Sequence, residues 1–235
     1  MLEVRIAVRK RPKYASRESG DSVEVVERAK GGLSVIMADG QGSGWAAKGT
    51  SNLVVTKAVT LLSEGVRDGA VARAVHDFLY AVKHGRVSAE LTLISADLQT
   101  RSLLVSRNSH CPVVISGPDG GRILGRDVAP IGVQRTMKPE ITELPLVAGL
   151  IVLAFTDGVW EAGKRTGQGW DGEDFLHFLR GYEPVDASLI AEHLLTQMEE
   201  LDQGRPADDM SVVVLTVGEV PEKEWRTLDL SFPVR

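Results

Sequence analysis

Aspartates stand at the ends of several apolar, β-like runs of this sequence, each beside glycine or another small residue. The four positions are Gly20-Asp21-Ser22, Ala38-Asp39-Gly40, Thr156-Asp157-Gly158 and Asp208-Asp209-Met210. A carboxylate at a buried strand end is costly unless its charge is compensated, and several that converge raise one another's pKa. A divalent cation would relieve both costs. Any single Asp-Gly pair is more often only a turn, so it is the set that predicts a shared metal site.

The donor atoms indicate which metal such a site would hold. Carboxylates, water and a backbone carbonyl exposed by a glycine form a hard oxygen site, which suits magnesium or manganese. Two such ions about 3.5–4 Å apart clamp the attacking and leaving oxygens in phosphoryl displacement. The chemistry expected of this set is therefore metal-assisted hydrolysis of a phosphate ester.

The elements that must position these aspartates can be read from hydrophobic periodicity. Alternating or continuous apolar runs predict strands at 4–8, 23–27, 33–38, 90–96, 102–107, 112–116, 121–124, 151–155 and 210–217. Helical spacing predicts helices over 46–62, from Asp68 as N-cap through 82, and over 174–179 and 187–201. The four runs between 90 and 124 favour one antiparallel meander. This order of strands and helix pairs predicts a layered α+β sandwich.

Composition and charge narrow the class of protein further. With 235 residues, 43% of them hydrophobic, the chain can form a single large domain with its own core. The net charge of −5 gives no basic footprint, so nucleic acid is not an expected partner. Cys111 is the only cysteine, which excludes an internal disulfide and favours a reducing cytoplasm. No signal-peptide pattern or bilayer-length apolar run is visible, so no membrane partner is expected either.

Three other chemistries fit the sequence less well. The spacing Gly40-x-Gly42-x-Gly44 would need a third glycine at position 45 to bind a dinucleotide, and that residue is Trp45. A thiolate phosphatase would need an arginine six residues after Cys111, where the chain has glycine. Zinc hydrolysis of the HExxH type has no matching pair among the five histidines.

Four ordered motifs carry a resemblance to a known family. They are Ser19-Gly20-Asp21-Ser22, Ala38-Asp39-Gly40-Gln41-Gly42-Ser43-Gly44, Phe155-Thr156-Asp157-Gly158 and Asp208-Asp209-Met210-Ser211. Together they resemble the PP2C-type metal-dependent serine/threonine phosphatases of the SpoIIE/RsbU/RsbX branch, above all its stand-alone RsbX-type stressosome feedback phosphatases. The resemblance implies a four-layer α-β-β-α sandwich with two antiparallel sheets. It also implies one domain over 1–235, with a motif core of about 19–217 and a tail of 218–235.

The same resemblance assigns roles to individual residues. It implies that Asp21, Asp39, Asp157 and Asp208 ligate two Mn²⁺ or Mg²⁺ ions together with the Gly40 carbonyl, and that turnover depends most on Asp39 and Asp157. Asp209 is expected to support the ligands without touching the metals. A hydroxide bridging the two ions would attack phosphorus directly, without a phospho-enzyme.

Two positions depart from the eukaryotic pattern of the family. Gln41 stands where those members have a histidine proposed as general acid, so the leaving oxygen is expected to take its proton from a metal-bound water. Their phosphate-contacting arginine has no counterpart, because Arg17 is displaced and is expected to be a solvated surface charge.

The resemblance also implies partners. The Gly20-Asp21 motif begins about twenty residues from Met1, which leaves no room for a sensor or membrane domain, so control is expected to come from outside the chain. The expected substrates are phosphorylated STAS-domain proteins of a stressosome or anti-sigma-antagonist switch. The alternative is a catalytically inactive PP2C-like regulator that binds a phosphoprotein. The presence of all four ligand carboxylates argues against it.

Overall fold

The computed structural model describes residues 1–222 and 225–231, and ten strands in these ranges form two five-stranded antiparallel sheets. The strands are β1 (Leu2–Arg11), β2 (Ser22–Glu27), β3 (Gly32–Gly40), β4 (Ala89–Asp97), β5 (Ser102–Asn108), β6 (Val113–Gly117), β7 (Gly120–Leu124), β8 (Glu140–Pro145), β9 (Leu150–Phe155) and β10 (Met210–Glu219). The first sheet has the order β1-β10-β9-β6-β7, and the second has the order β2-β3-β4-β5-β8.

Helices cover the outer face of each sheet. They are α1 (Gly44–Ser63), α2 (Asp68–Lys83), α3 (Asp157–Trp160), α4 (Gly172–Leu179) and α5 (Ala187–Leu201), with a short 3₁₀ turn at Lys164–Thr166. The pair α1 and α2 packs on the second sheet, and α4 and α5 pack on the first. The molecule is therefore a four-layer α-β-β-α sandwich, which confirms the expected fold class.

Period-two alternation in the central strands builds three apolar layers. In β3, Val35 and Met37 point into the core between the sheets, whereas Ile36 and Ala38 point towards α1 and α2. In β10, residues 212 and 214 likewise face α4 and α5 while 213 and 215 face the inter-sheet core. These strands are buried on both faces, which explains why they read as continuous apolar runs in the sequence.

The predicted meander over 90–124 is wrong. β4 and β5 pair in the second sheet, but β6 and β7 belong to the first sheet, where β6 pairs with β9. The chain crosses between the sheets at the turn that follows Asn108. Strand β8 was not predicted, because it is an edge strand with residues that alternate only between half-buried and exposed.

The end of the chain carries no regular structure where it is described. β10 runs to Glu219, and Arg226 forms an ion pair with Glu27 with its Nη1 2.8 Å from Oε2. Part of the predicted tail, residues 223–224 and 232–235, lies outside the described residues. Among the helices that the structure describes, none has both the length and the apolar character needed to cross a membrane.

Asp68 has a different role from the predicted N-cap. Arg67 occupies the cap position, and the Asp68 carboxylate instead forms a two-point ion pair with Arg28, with N–O distances of 3.1 and 3.2 Å. Ser95 of β4 also donates to this carboxylate. The Arg28 and Asp68 side chains are only 10% and 4% exposed, so the pair locks α2 to the second sheet.

Removal of this carboxylate should destabilise the protein strongly. Asp68→Ala leaves the buried Arg28 guanidinium without its counter-charge, and we expect the free energy of unfolding to fall by about 3 kcal/mol in urea denaturation. Asp77 is exposed on the same helix, so Asp77→Ala is the matched control and should change it by less than about 0.5 kcal/mol. Equal effects from the two substitutions would contradict this role for Asp68.

Candidate metal centre

The predicted aspartates come together at one end of the sandwich, where the two sheets meet. Asp39 lies near the C-terminal end of β3, and Asp157 begins α3 directly after β9. Asp208 and Asp209 precede β10, and Asp21 precedes β2. Strands β2 and β3 are neighbours in one sheet, as are β9 and β10 in the other, which is why residues far apart in sequence share this edge.

Asp21 joins the two sheets directly. It is 1% exposed, and its Oδ2 accepts hydrogen bonds from Thr156 Oγ1 at 2.9 Å and Ser211 Oγ at 2.6 Å. Burial raises the pKa of Asp21 to about 7, with a further contribution from the Asp209 charge, even though these two hydrogen bonds act in the opposite direction. A neighbouring cation would stabilise the ionised form of this carboxyl group and so lower its pKa.

Among these aspartates, Asp39 has the most strongly raised pKa. Burial, followed by the charges of Asp21, Asp157, Glu90 and Asp208, raises the pKa of Asp39 to about 9. The pKa of Asp157 is also raised, by burial and by Asp208 and Glu90, while a hydrogen bond with Asp39 lowers it. The raised pKa of Asp39 favours its protonated form at neutral pH when no cation is bound.

The adjacent acids Asp208 and Asp209 point in different directions. The Asp208 side chain is about half exposed and is close enough to raise the pKa of Asp39 and Asp157. Asp209 is buried, and its carboxylate accepts from the Lys13 amide at 2.9 Å and the Gly20 amide at 2.7 Å. Asp209 therefore fixes the turn that carries Asp21, in keeping with a supporting role.

Glycines bring the backbone segments of the site close together. A Cβ atom on Gly40 would lie 2.3 Å from the Ala47 carbonyl oxygen of α1, and one on Gly158 would lie 2.3 Å from the Asp209 carbonyl oxygen. Both positions exclude any side chain. The Gly40 carbonyl thus lies at the end of β3 where this strand abuts the start of α1.

Gln41 and Arg17 stand at or near the positions where the sequence departs from the eukaryotic pattern. The Gln41 Oε1 accepts a hydrogen bond from the Ser88 amide at 2.9 Å, which ties the side chain to the start of β4. Arg17 is exposed, as expected of a surface charge.

Several residues of the site were missed by sequence reasoning. Glu90 lies opposite Asp39 in the β3–β4 pairing. The Nζ atoms of Lys10 and Lys48 donate to the Asp21 carbonyl at 2.9 and 2.7 Å. Burial and the neighbouring Lys48 charge lower the pKa of Lys10. Glu90 did carry a signal, since it is the only charged residue of β4 before Asp97.

The donor set fits a hard divalent cation. Burial raises the pKa values of Asp21, Asp39 and Asp157, and the charges of neighbouring carboxylates raise them further. Such a cluster cannot be fully ionised at neutral pH without positive charge beside it. Oxygen ligands of this kind match magnesium and manganese.

Comparison with known proteins places this arrangement in a family. The model of the Stage II sporulation protein E (SpoIIE) family matches residues 29–218. The chain belongs to the SpoIIE family. Stage II sporulation protein E of Bacillus subtilis is 24% identical over 201 residues, which cover 85% of this chain and 24% of that protein. The chain thus spans about a quarter of the length of this relative.

Solved structures show the same fold. A structure of the PP2C phosphatase domain of SpoIIE from Bacillus subtilis, with a fragment of its regulatory domain, has a TM-score of 0.80 and 23% identity, and covers 92% of this chain and 64% of that one. The catalytic domain of the phosphatase PstP, solved with two manganese ions, has a TM-score of 0.71 and 18% identity over 93% of this chain and 100% of that one.

Two further solved structures share the fold. RsbX, solved with magnesium, has a TM-score of 0.70 and 15% identity over 93% of this chain and 100% of that one. A structure from work on the bacterial stressosome has a TM-score of 0.67 and 18% identity over 91% and 99% of the two chains. The chain is therefore a SpoIIE-family domain, as the four motifs predicted, and it has the fold of PP2C-type phosphatase domains, of which PstP was solved with manganese and RsbX with magnesium.

The raised acidities predict how the stability of the metal-free protein varies with pH. When folding raises the pKa of a carboxyl group, the protonated group stabilises the folded protein. This stabilisation is complete below the pKa of the group in the unfolded chain, about 4, and is lost as the pH rises through its pKa in the folded protein. For Asp39 that window extends from about pH 4 to about pH 9. Stability should therefore fall across this range by about 1.4 kcal/mol per pH unit for each extra proton that the folded state binds.

The variant Asp39→Asn tests whether the carboxylate cluster causes this pH dependence of stability. Because it removes one of the repelling carboxyl groups, we expect the metal-free variant to be at least as stable as wild type at pH 8, with a flatter pH dependence in urea titrations. Asp77→Asn, on the exposed face of α2, should retain the wild-type slope. A large drop in melting temperature for metal-free Asp39→Asn would count against repulsion within the cluster.

Proposed function

We propose that this protein is a metal-dependent protein serine/threonine phosphatase. Asp21, Asp39, Asp157, Asp208 and the Gly40 carbonyl hold two Mn²⁺ or Mg²⁺ ions. The observation that carries the proposal is the convergence of these carboxylates from both sheets at a buried position, where burial and then the neighbouring charges raise the pKa of Asp39 to about 9. Carboxylates so arranged need a cation to be ionised at neutral pH, and oxygen-ligated ion pairs are suited to phosphoryl displacement.

In this proposal the residues around the metal ions have separate roles. The bound ions supply a hydroxide nucleophile and spread the charge that develops on the phosphate group. Asp39 and Asp157 would be the ligands from the two sheets, each as an ionised carboxylate. Thr156 and Ser211 orient the Asp21 carboxylate, and Asp209 holds the Gly20-Asp21 turn in place.

Protonation of the leaving oxygen does not depend on residue 41. An amide is not an acid at neutral pH, and the Gln41 oxygen is already hydrogen-bonded to the start of β4. The serine or threonine oxygen that leaves therefore takes its proton from water at the site.

Activity should depend on the metal and on the ligand aspartates. We expect the protein to release phosphate from a chromogenic phosphate ester with Mn²⁺ or Mg²⁺ and to stop when the metal is chelated. Asp39→Asn and Asp157→Asn should each lower turnover by about 100-fold or more, because each weakens ion binding. The exposed-site control Asp77→Asn should keep the wild-type rate.

A parallel variant separates this chemistry from thiolate catalysis. Burial raises the pKa of the Cys111 thiol well above its usual range, so it is a poor nucleophile, and Cys111→Ser should retain most of the activity. If that variant alone were inactive, or if full activity survived exhaustive chelation, the two-metal proposal would be wrong. A wild-type protein that binds Mn²⁺ and a phosphoprotein without turnover would instead be the inactive regulator.

We further propose that the substrates are phosphorylated STAS-domain proteins of a stressosome or an anti-sigma-antagonist switch. Support comes from the motif resemblance to the RsbX-type members and from the shared fold with RsbX and a stressosome structure. The choice of substrate resides in surface loops around the centre, such as 163–172, which the motifs do not constrain.

A competition assay tests the substrate class. Phosphorylated STAS proteins and unrelated serine phosphoproteins are mixed with the enzyme at equal concentration, and phosphate loss from each is followed by mass spectrometry. We expect at least about tenfold faster loss from the STAS proteins, which corresponds to about 1.4 kcal/mol of discrimination. Equal rates would leave a general phosphatase and remove the stressosome assignment.

A further inference from the structure

Beside the carboxylate cluster lies a second group of metal-binding side chains of a different chemical type. It consists of Glu90 on β4 and the adjacent pair His110 and Cys111 on the turn after β5. One ligand atom from each of the three lies within 4.8 Å of the others. We propose that this trio is a separate site for a borderline divalent cation such as Zn²⁺, bound through the imidazole nitrogen of His110 and the sulfur of Cys111, with the Glu90 carboxylate holding the imidazole and supplying negative charge.

The spacing of the donors suits such an ion. The imidazole Nε2 of His110 lies 3.8 Å from Cys111 Sγ. Zinc bonds of about 2.0–2.1 Å to nitrogen and about 2.3 Å to sulfur at a tetrahedral angle place these two ligands roughly 3.6 Å apart. The other ring nitrogen, Nδ1, contacts Glu90 Oε1. A carboxylate in this position fixes the orientation of a ligating histidine.

The turn that carries the two ligands is held rigidly. The Arg107 guanidinium is fully buried and donates through Nη2 to the carbonyl oxygens of Ser109 and Cys111, at 3.1 and 2.8 Å, on either side of His110. Ser109 Oγ donates to Glu90 Oε2 at 2.5 Å and accepts from the Cys111 amide at 2.9 Å. The positions of the donors are therefore set before any ion binds, which lowers the cost of binding.

The local charge favours a cation. Burial raises the pKa of the Cys111 thiol, and the charges of Glu90, Asp157 and Asp39 raise it further. The negative potential that opposes thiol ionisation is the same potential that attracts a divalent ion. On binding, the thiol releases its proton to solvent, so that the thiolate and the Glu90 carboxylate together balance the two positive charges. An imidazolium at His110 also gives up its proton.

The type of donor keeps this site distinct from the oxygen centre. Magnesium and manganese prefer carboxylates, carbonyls and water, whereas imidazole and thiolate favour zinc and its neighbours in the transition series. The His110 side chain is 42% exposed, which gives an ion access from solvent and leaves room for a water ligand. This inference does not depend on phosphatase activity.

Cobalt spectroscopy provides a direct test. Co²⁺ is titrated into the full-length, reduced protein with excess Mg²⁺ present to occupy oxygen ligands. Cys111 is the only cysteine in the chain, so a near-ultraviolet thiolate-to-cobalt charge-transfer band can arise only there. We expect this band at one equivalent of Co²⁺, its loss on addition of Zn²⁺, and no band in Cys111→Ser.

Two further variants show whether binding of the ion depends on all three residues or on the Cys111 thiol alone. His110→Ala and Glu90→Gln should weaken the affinity for Co²⁺ by about 10-fold to 100-fold. Asp39→Asn, a substitution in the oxygen centre, should keep the band even if it has lost phosphatase activity, and its affinity for Co²⁺ should fall less than in those two variants, because Asp39 acts on this site only through its charge. No band in the wild-type protein, or a band with unchanged affinity in both His110→Ala and Glu90→Gln, would overturn the proposal.

Discussion

Repulsion among carboxylates at the junction of the two sheets is the constraint on which the site depends. Asp21 makes hydrogen bonds to Thr156 and Ser211, so it links the segment before β2 to β9 and β10. Asp39 and Asp157 meet across the same junction. A folded protein that gathers these groups must either bind protons or bind cations. Three apolar layers hold the acids in place, and the proximity of the acids sets the chemistry.

Contacts around the aspartates fix the backbone of the site without a metal ion. Asp209 secures the turn before Asp21 through two backbone amides, and Gly158 lets the start of α3 lie against the Asp209 carbonyl. Lys10 and Lys48 donate to the Asp21 main chain and place positive charge close to the cluster. In the proposed mechanism the metal therefore enters a site whose ligand backbone is already ordered.

How far the sequence predicts the structure depends on whether the signal is local. Asp39 and Asp157 could be singled out because each follows an apolar run and precedes a glycine, and the near-continuous apolar runs of β3 and β10 are typical of strands buried on both faces. Glu90 could not be placed, because its position opposite Asp39 follows from the β3–β4 register, and α1 and α2 separate these strands in the chain. For the same reason no local pattern shows that β6 changes sheet at the turn after Asn108.

Proton release on metal binding tests the central claim most directly. With a pKa of about 9 for Asp39 and about 7 for Asp21, the metal-free cluster holds at least one proton at pH 7, and ionic ligation must expel it. Titration calorimetry with Mn²⁺ in buffers of different ionisation enthalpy measures that number. We expect about one proton or more per protein. Tight Mn²⁺ binding without proton release, or no Mn²⁺ binding, would contradict the account.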